Sequence, residues 1–235
     1  PDIVTHKAPG KRGSPLMLRR LKEEMVDFQE EPLFKKRVVE TAPHRIAENP
    51  PEMILYTALT DYIEKTYRAA ERIGGRVKVN TQFAMVILQR RMASSFAALA
   101  KSLHRRRESL LEVDMIPDEE VVWAEAEEKP EAERWEQERQ AELTSPAKTQ
   151  REREKEITEI DGLLKKLEAV KESGIETKVE KLRSILRNEV GIVPGNGEKL
   201  LVFTEFKDTL DFLRDLFESW GYPVTQIDGS MPHEE

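Results

Sequence analysis

Few side chains in this 235-residue sequence have a type and spacing suited to covalent chemistry. There is no cysteine, which excludes thiolate nucleophiles, thiolate zinc sites and disulfides and makes a reducing intracellular compartment the default expectation. His6, His44, His104 and His233 are scattered and no H-E-x-x-H occurs, so no metal site is expected. Glu205 ends an apolar run where an acid or base could act, but no partner is in view and a structural role is the expectation. What remains suits phosphate. The loops Thr204-Glu205 and Asp228-Gly229-Ser230 can present hydroxyls and backbone amides, and Arg90/Arg91 with Arg105, Arg106 and Arg107 supply clustered guanidinium groups. The same arginines would equally serve as the solvated face of a long helix. Arg19, Arg20 and Lys22 form a smaller group that either meets a polyanion such as DNA or pairs with Glu23 and Glu24. GNGEK (195–199) has the residues of a phosphate loop but precedes an apolar run instead of following one, and lacks the Lys-Ser/Thr ending, so it is expected to be a linker.

Composition sets the background. The hydrophobic share is 38% and the charged share 35%, so a modest core and much solvated helix are expected. Net charge is −7, unevenly placed: residues 1–115 hold 21 Lys+Arg against 15 Asp+Glu, residues 116–175 hold 10 against 18, and residues 176–235 hold 7 against 12. A basic first half beside an acidic remainder fits a polyanion-binding face next to an acidic segment. No apolar run has the length of a membrane span and no signal peptide is recognisable, so a soluble chain is expected. The sequence starts at Pro1, which suggests a processed or partial chain.

The elements that would carry these groups are mostly helical. Leu18, Leu21, Met25 and Phe28 have helical spacing and predict a helix over 16–28 that Pro32 ends; 36–46 reads as a short strand. Leu55, Leu59, Tyr62, Thr66, Ala70 and Ile73 predict a long helix from Pro51 that Gly74-Gly75 stops. A second, from Asn80 or Thr81 as cap to about Val113, would carry Leu88, Met92, Phe96, Leu99 and Leu103 on one face and the arginines as a dense positive surface. Residues 117–150 are acidic and broken by three prolines, and read as an exposed helix or a disordered insert in which Trp123 and Trp135 argue for some partner surface. A helix over 151–173 (Ile157, Ile160, Leu164, Leu167, Val170) follows, closed by Gly174. Thr177-Lys-Val-Glu180 reads as a capping box opening a helix that Gly191 ends. KLLVFT (199–204) and PVTQI (223–227) read as strands on either side of a helix from about Asp208 to Trp220, with Gly221 as its C-terminal stop: a βαβ unit whose two strand-end loops share one edge.

In that order the segments resemble the middle of a Swi/Snf-like superfamily-two helicase or translocase, of the bacterial and archaeal HepA-like branch. LLVFTEFKDTLDFL followed by VTQIDGSM is similar to the opening of the family's second RecA-like lobe. MLRRLKEEM (17–25), PLFKKRVVETAPHRI and ILYTALTDYIEK resemble the end of the first lobe and the helix after it, and LQRRMASSFAALAKSLHRRRESL (88–110) resembles the basic inter-lobe helix. The resemblance implies a mostly α chain with a C-terminal α/β part: 1–46 ending lobe one, 47–115 basic inter-lobe helices, 116–175 an acidic insert, 176–198 a connector, and 199–235 the truncated start of lobe two. It implies backbone contact with nucleic acid at Thr204, Gly229, Ser230 and Met231, double-stranded DNA (RNA or a hybrid also fitting) and the remainder of the same polypeptide as partners, no membrane, and a cytoplasmic, nucleoid-associated location. Asp228 is expected to order its loop, since a carboxylate beside phosphates is repelled. ATP and magnesium would belong to the full-length protein. The family's Gly-Lys-Thr loop, Asp-Glu pair and late arginines are missing from these residues, so no catalytic residue and no bound cofactor is expected here, and the chain alone should neither bind nor hydrolyse ATP. A non-enzymatic helical nucleic-acid-binding or scaffold protein is the alternative. A small α/β enzyme ranks behind both, for want of a nucleophile and base.

Overall fold

The pattern of apolar residues at every third or fourth position dominates the chain, and helices result. The computed structural model describes residues 22, 25–34, 38–112, 131–174, 176–229 and 231. By contact the chain divides into two units, Pro1–Pro43 and His44–Glu235.

In the first unit, residues 25–34 form a tight reverse turn where a helix was expected to run to Phe28. The Asp27 carboxylate accepts from Gln29 N at 2.8 Å and Glu31 N at 2.9 Å, Leu33 N donates to Met25 O at 3.0 Å, and Val26 and Pro32 make one antiparallel bridge. An aspartate that captures its own backbone amides competes directly with helix formation, and Glu30, at φ 65°, completes the turn. The part of that expectation on residues 16–21, with Arg19 and Arg20, lies outside the described residues. Residues 38–43, expected in a strand, are exposed and form no regular structure.

The second unit holds seven α-helices among the described residues: α1 (Pro50–Ile73), α2 (Gly75–Ser94), α3 (Phe96–Leu111), α4 (Glu131–Glu142), α5 (Gln150–Glu172), α6 (Thr177–Ser184) and α7 (Lys207–Ser219). A π-helical turn, Ile185–Val190, extends α6. Leu55, Leu59 and Tyr62 from α1, Met85 and Leu88 from α2, Leu99 and Leu103 from α3, and Ile160, Leu163, Leu167 and Val170 from α5 pack into one core. α4 lies on α2 and α3, and α7 lies on α3. No helix among the described residues is long and apolar enough to cross a membrane.

Two helix starts differ from expectation. α2 begins at Gly75, with Asn80 and Thr81 buried inside it, because Gly74 (φ 73°, ψ −169°) makes the turn out of α1. The single long basic helix is two helices: Ser95 is extended (φ −156°), its hydroxyl accepts from Ala98 N at 3.1 Å, and it thereby caps α3. At α6 the expected capping box does not form. Thr177 N and Oγ1 both donate to the buried carboxylate of Glu52, at 2.8 and 2.6 Å, with His44 Nε2 2.5 Å from the same hydroxyl. The capping box is instead at α5, where Thr149 accepts from Glu152 N at 3.2 Å and Glu152 accepts from Thr149 N at 2.9 Å.

The expected strands 199–204 and 223–227 do not form, and no strand is present among the described residues. Their course is nonetheless ordered about α7. Tyr222 OH donates to Ile192 O at 2.8 Å, and Pro194 lies against Gly221, so the first segment starts at the C-terminal end of α7 and reaches its N-terminal end at Phe206. The second starts at Tyr222, packed on Phe217, passes Arg214, which donates to Gln226 Oε1 at 3.2 Å, and ends where Lys207 donates to Asp228 Oδ2 at 2.5 Å. Both therefore run antiparallel to the helix and parallel to each other. Gly221 (φ 86°) makes the left-handed step between α7 and the second segment, as its position predicted.

Candidate nucleic-acid interface

Arg90 and Arg91 end α2, and Lys101 and Arg105, four residues apart, share one face of α3. The Ser94-Ser95 break folds these faces toward the start of α7. Both serine hydroxyls lie within hydrogen-bond distance of Thr209 Oγ1, at 2.8 and 2.9 Å. The result is a seam of four cations, and it is already filled with carboxylates.

Arg91 is the centre of this seam. Its Nη1 donates to Asp208 Oδ2 at 2.5 Å, its Nε is 2.7 Å from Glu142 Oε1, its Nη2 is 3.8 Å from Glu138 Oε2, and its guanidinium lies 5.2 Å from the Phe206 ring centroid. Arg105 grips Glu142 Oε2 through Nε at 3.1 Å and Nη2 at 3.0 Å, and Nη2 also reaches Asp208 at 3.0 Å. Lys101 Nζ is 3.3 Å from Asp208 Oδ1, and Arg90 pairs with Glu205. Burial disfavours the Asp208 carboxylate, yet Arg105, Arg91 and Lys101 together outweigh it and hold its pKa below the ordinary value. Glu138 shows the opposite balance: burial raises its pKa despite Arg91 and Arg134.

The expected positive surface is thus largely ion-paired, and two of its arginines, Arg91 and Arg106, are internal. Arg106 is 1% exposed; its Nε donates to Tyr62 OH at 2.6 Å and Glu156 Oε1 at 2.9 Å, and its Nη1 to the carbonyls of Glu142 at 2.9 Å and Thr144 at 2.7 Å. Placed there it offers no surface to a phosphate and is a strut between α1, α3 and the turn after α4. Burial, and after it Glu156, push the Tyr62 phenol well above its ordinary range although Arg106 pulls the other way. Arg107, at the edge, donates to Asp161 Oδ1 at 2.6 Å. Helical spacing could place Lys101 and Arg105 together; it could not name Glu138, Glu142 and Asp208 as their partners, since these arrive from distant segments.

The second group of expected residues gathers at the N-terminal end of α7. Thr204 is half-buried and precedes Glu205, whose carbonyl accepts from Trp135 Nε1 at 3.4 Å. Asp228 is buried, accepts from Lys207, and its carbonyl accepts from Met231 N at 3.2 Å, the loop-ordering part assigned to it. Gly229 and Met231 are exposed beside it. Ser230, Arg19 and Arg20 lie outside the described residues, and Lys22 sits 5.4 Å from the Phe34 ring centroid. Among the described residues no His/Asp/Glu group is arranged to hold a metal ion. No family model, curated protein or solved structure matches the chain.

Proposed function

We propose that this chain is the inter-lobe section of an ATP-driven translocase on double-stranded DNA: the end of the first RecA-like lobe, the connecting helices and the start of the second lobe. The observation that supports this reading most is the course of the chain about α7. Two apolar segments run parallel to each other and antiparallel to one amphipathic helix, which is the course of a βαβ unit awaiting neighbouring strands. Seven residues of strand would cover roughly 23 Å, close to the roughly 20 Å length of α7. Leu201, Phe203 and Ile227 are 77%, 85% and 87% exposed along these segments, as expected of strands whose partners belong to the remainder of the lobe. The loops at Thr204 and at Gly229-Ser230-Met231 then stand at the strand ends, where backbone phosphates would be held by hydroxyl and amide groups. ATP and magnesium bind elsewhere in the full-length protein, and this section transmits lobe movement to DNA.

The ion pairs that occupy Arg90, Arg91, Arg105, Arg106 and Arg107 favour a second reading, a helical scaffold without a nucleic-acid partner. Fluorescence anisotropy of a labelled short duplex titrated with the 235-residue chain separates the two. Binding at low salt that weakens steeply as salt rises is expected of the translocase section, from release of counterions off the duplex. An unchanged anisotropy at low salt would leave the scaffold. The same chain should give no heat with Mg·ATP by titration calorimetry, and DNA-stimulated ATP turnover would overturn the placement of the nucleotide site elsewhere.

A further inference from the structure

Helix α4, EAERWEQERQAE, is bound to the rest of the unit in an unusual way for a buried-face helix: mainly by charge. Its apolar contribution is small, with Ala141 packed against Phe83 and Ile87. Trp135 adds one indole hydrogen bond to the carbonyl of Glu205. A 12-residue helix is marginal alone in water, so its docking must come from elsewhere. Glu138 and Glu142, four residues apart, put two negative charges about 6 Å apart on one face, and both reach Arg91. Glu142 also takes two nitrogens of Arg105 on its Oε2, while its Oε1 meets Arg91, so one carboxylate holds two guanidinium groups as a phosphate could.

Charge counting sharpens the point. With α4 in place, Arg90, Arg91, Lys101 and Arg105, with Arg134 of α4 itself, face Glu138, Glu142, Glu205 and Asp208, so α4 brings two carboxylates and one cation to the seam. Without α4 the same four cations face two carboxylates, Glu205 and Asp208, and the seam becomes an anion site. The exposed pairs, Arg90 with Glu205 and Lys101 with Asp208, are weakened by salt, whereas Arg91, Glu138 and Glu142 are buried and give way only to an anion that takes the place of the carboxylates.

We propose that α4 is a displaceable cover lying on Arg91 and Arg105 in the position of a phosphodiester backbone, so that α4 and duplex DNA exclude each other there. This rests on the nucleic-acid reading above and adds its regulation: the section binds DNA at the seam only when α4 lifts. Lifting α4 also removes the Trp135 contact with Glu205 and leaves Asp208 as the carboxylate shared by Arg91 and Arg105, so DNA at the seam loosens the link between the inter-lobe helices and α7.

Hydrogen–deuterium exchange on the 235-residue chain, with and without a short mixed-sequence duplex, tests this directly. Faster exchange of the amides of 131–142 on adding duplex is expected. In parallel, Glu138→Gln should bind the duplex roughly tenfold more tightly than Glu133→Gln, which removes the same charge from an exposed position on the same helix. If duplex binds while exchange in α4 stays unchanged, the cover is overturned and the nucleic-acid reading survives. Equal tightening in both variants also overturns it, since net charge alone would then explain the gain. Duplex that binds none of the three proteins overturns both readings.

Discussion

Arg106 illustrates how a charged residue in a basic run becomes structural. Four acceptors surround it, from Tyr62, Glu156 and the carbonyls of Glu142 and Thr144, and it is almost fully buried. Breaking one side of such an arrangement leaves Glu156 without its cation, a loss of about 3–5 kcal/mol by precedent for buried pairs. Arg106→Leu should therefore lower the urea midpoint strongly, while Arg107→Leu, at the exposed edge, should leave it nearly unchanged. Equal losses for the two would contradict the assignment of Arg106 as a strut. Asp208 gives a pH signature. Its folded pKa lies below the ordinary value, so it contributes stability that is complete above about pH 4 and fades as pH falls through the folded pKa. The stability gap between wild type and Asp208→Asn should be largest near neutrality and close in acid; a gap constant across that range would remove Asp208 from the latch. Neither role was legible in the sequence. Arg105, Arg106 and Arg107 are consecutive and alike, and only the 100° step of the helix sends one to the interior, one to the seam and one to the edge.

At the scale of elements, α1, α5 and α7 follow from local pattern, since each buries one stripe whose spacing is visible in the sequence. The departures have tertiary causes. Thr209 from α7 meets the Ser95 hydroxyl at the break, and Thr177 turns to Glu52 from α1, partners that no local window contains. The segments beside α7 were legible as apolar runs but not in their pairing, because a ladder needs partners beyond themselves. Glycine positions allow an element-level test. Gly74 has a φ and ψ that only glycine adopts without strain, so Gly74→Ala should cost about 1–3 kcal/mol although a Cβ there would meet nothing within 4 Å. Gly162 sits inside α5 with ordinary helical backbone and open space, and Gly162→Ala should stabilise by about 0.5–1 kcal/mol. Thermal unfolding of the two variants should move in opposite directions; a destabilising Gly162→Ala would contradict the open environment assigned to it.

At the scale of the whole molecule, the charge asymmetry that suggested an external polyanion is partly satisfied within the His44–Glu235 unit. The basic ends of α2 and α3 meet the acidic α4 and the start of α7, so part of what composition advertised to a partner is used between segments. The apolar residues carry the opposite message. Leu201, Phe203 and Ile227 are exposed at a place where no strand is formed among the described residues, and exposed apolar edges recruit segments from other molecules. The isolated 235-residue chain should self-associate as its concentration rises, through these segments and not through the helical core. Replacing Leu201 with Lys and Phe203 with Thr puts charge and polarity on that edge without touching the α1, α2, α3 and α5 core, so sedimentation velocity should show the variant losing the concentration-dependent species while its helical circular dichroism stays unchanged. An association that persists in the variant would move the sticky surface elsewhere and weaken the reading of 199–228 as the open start of a larger sheet.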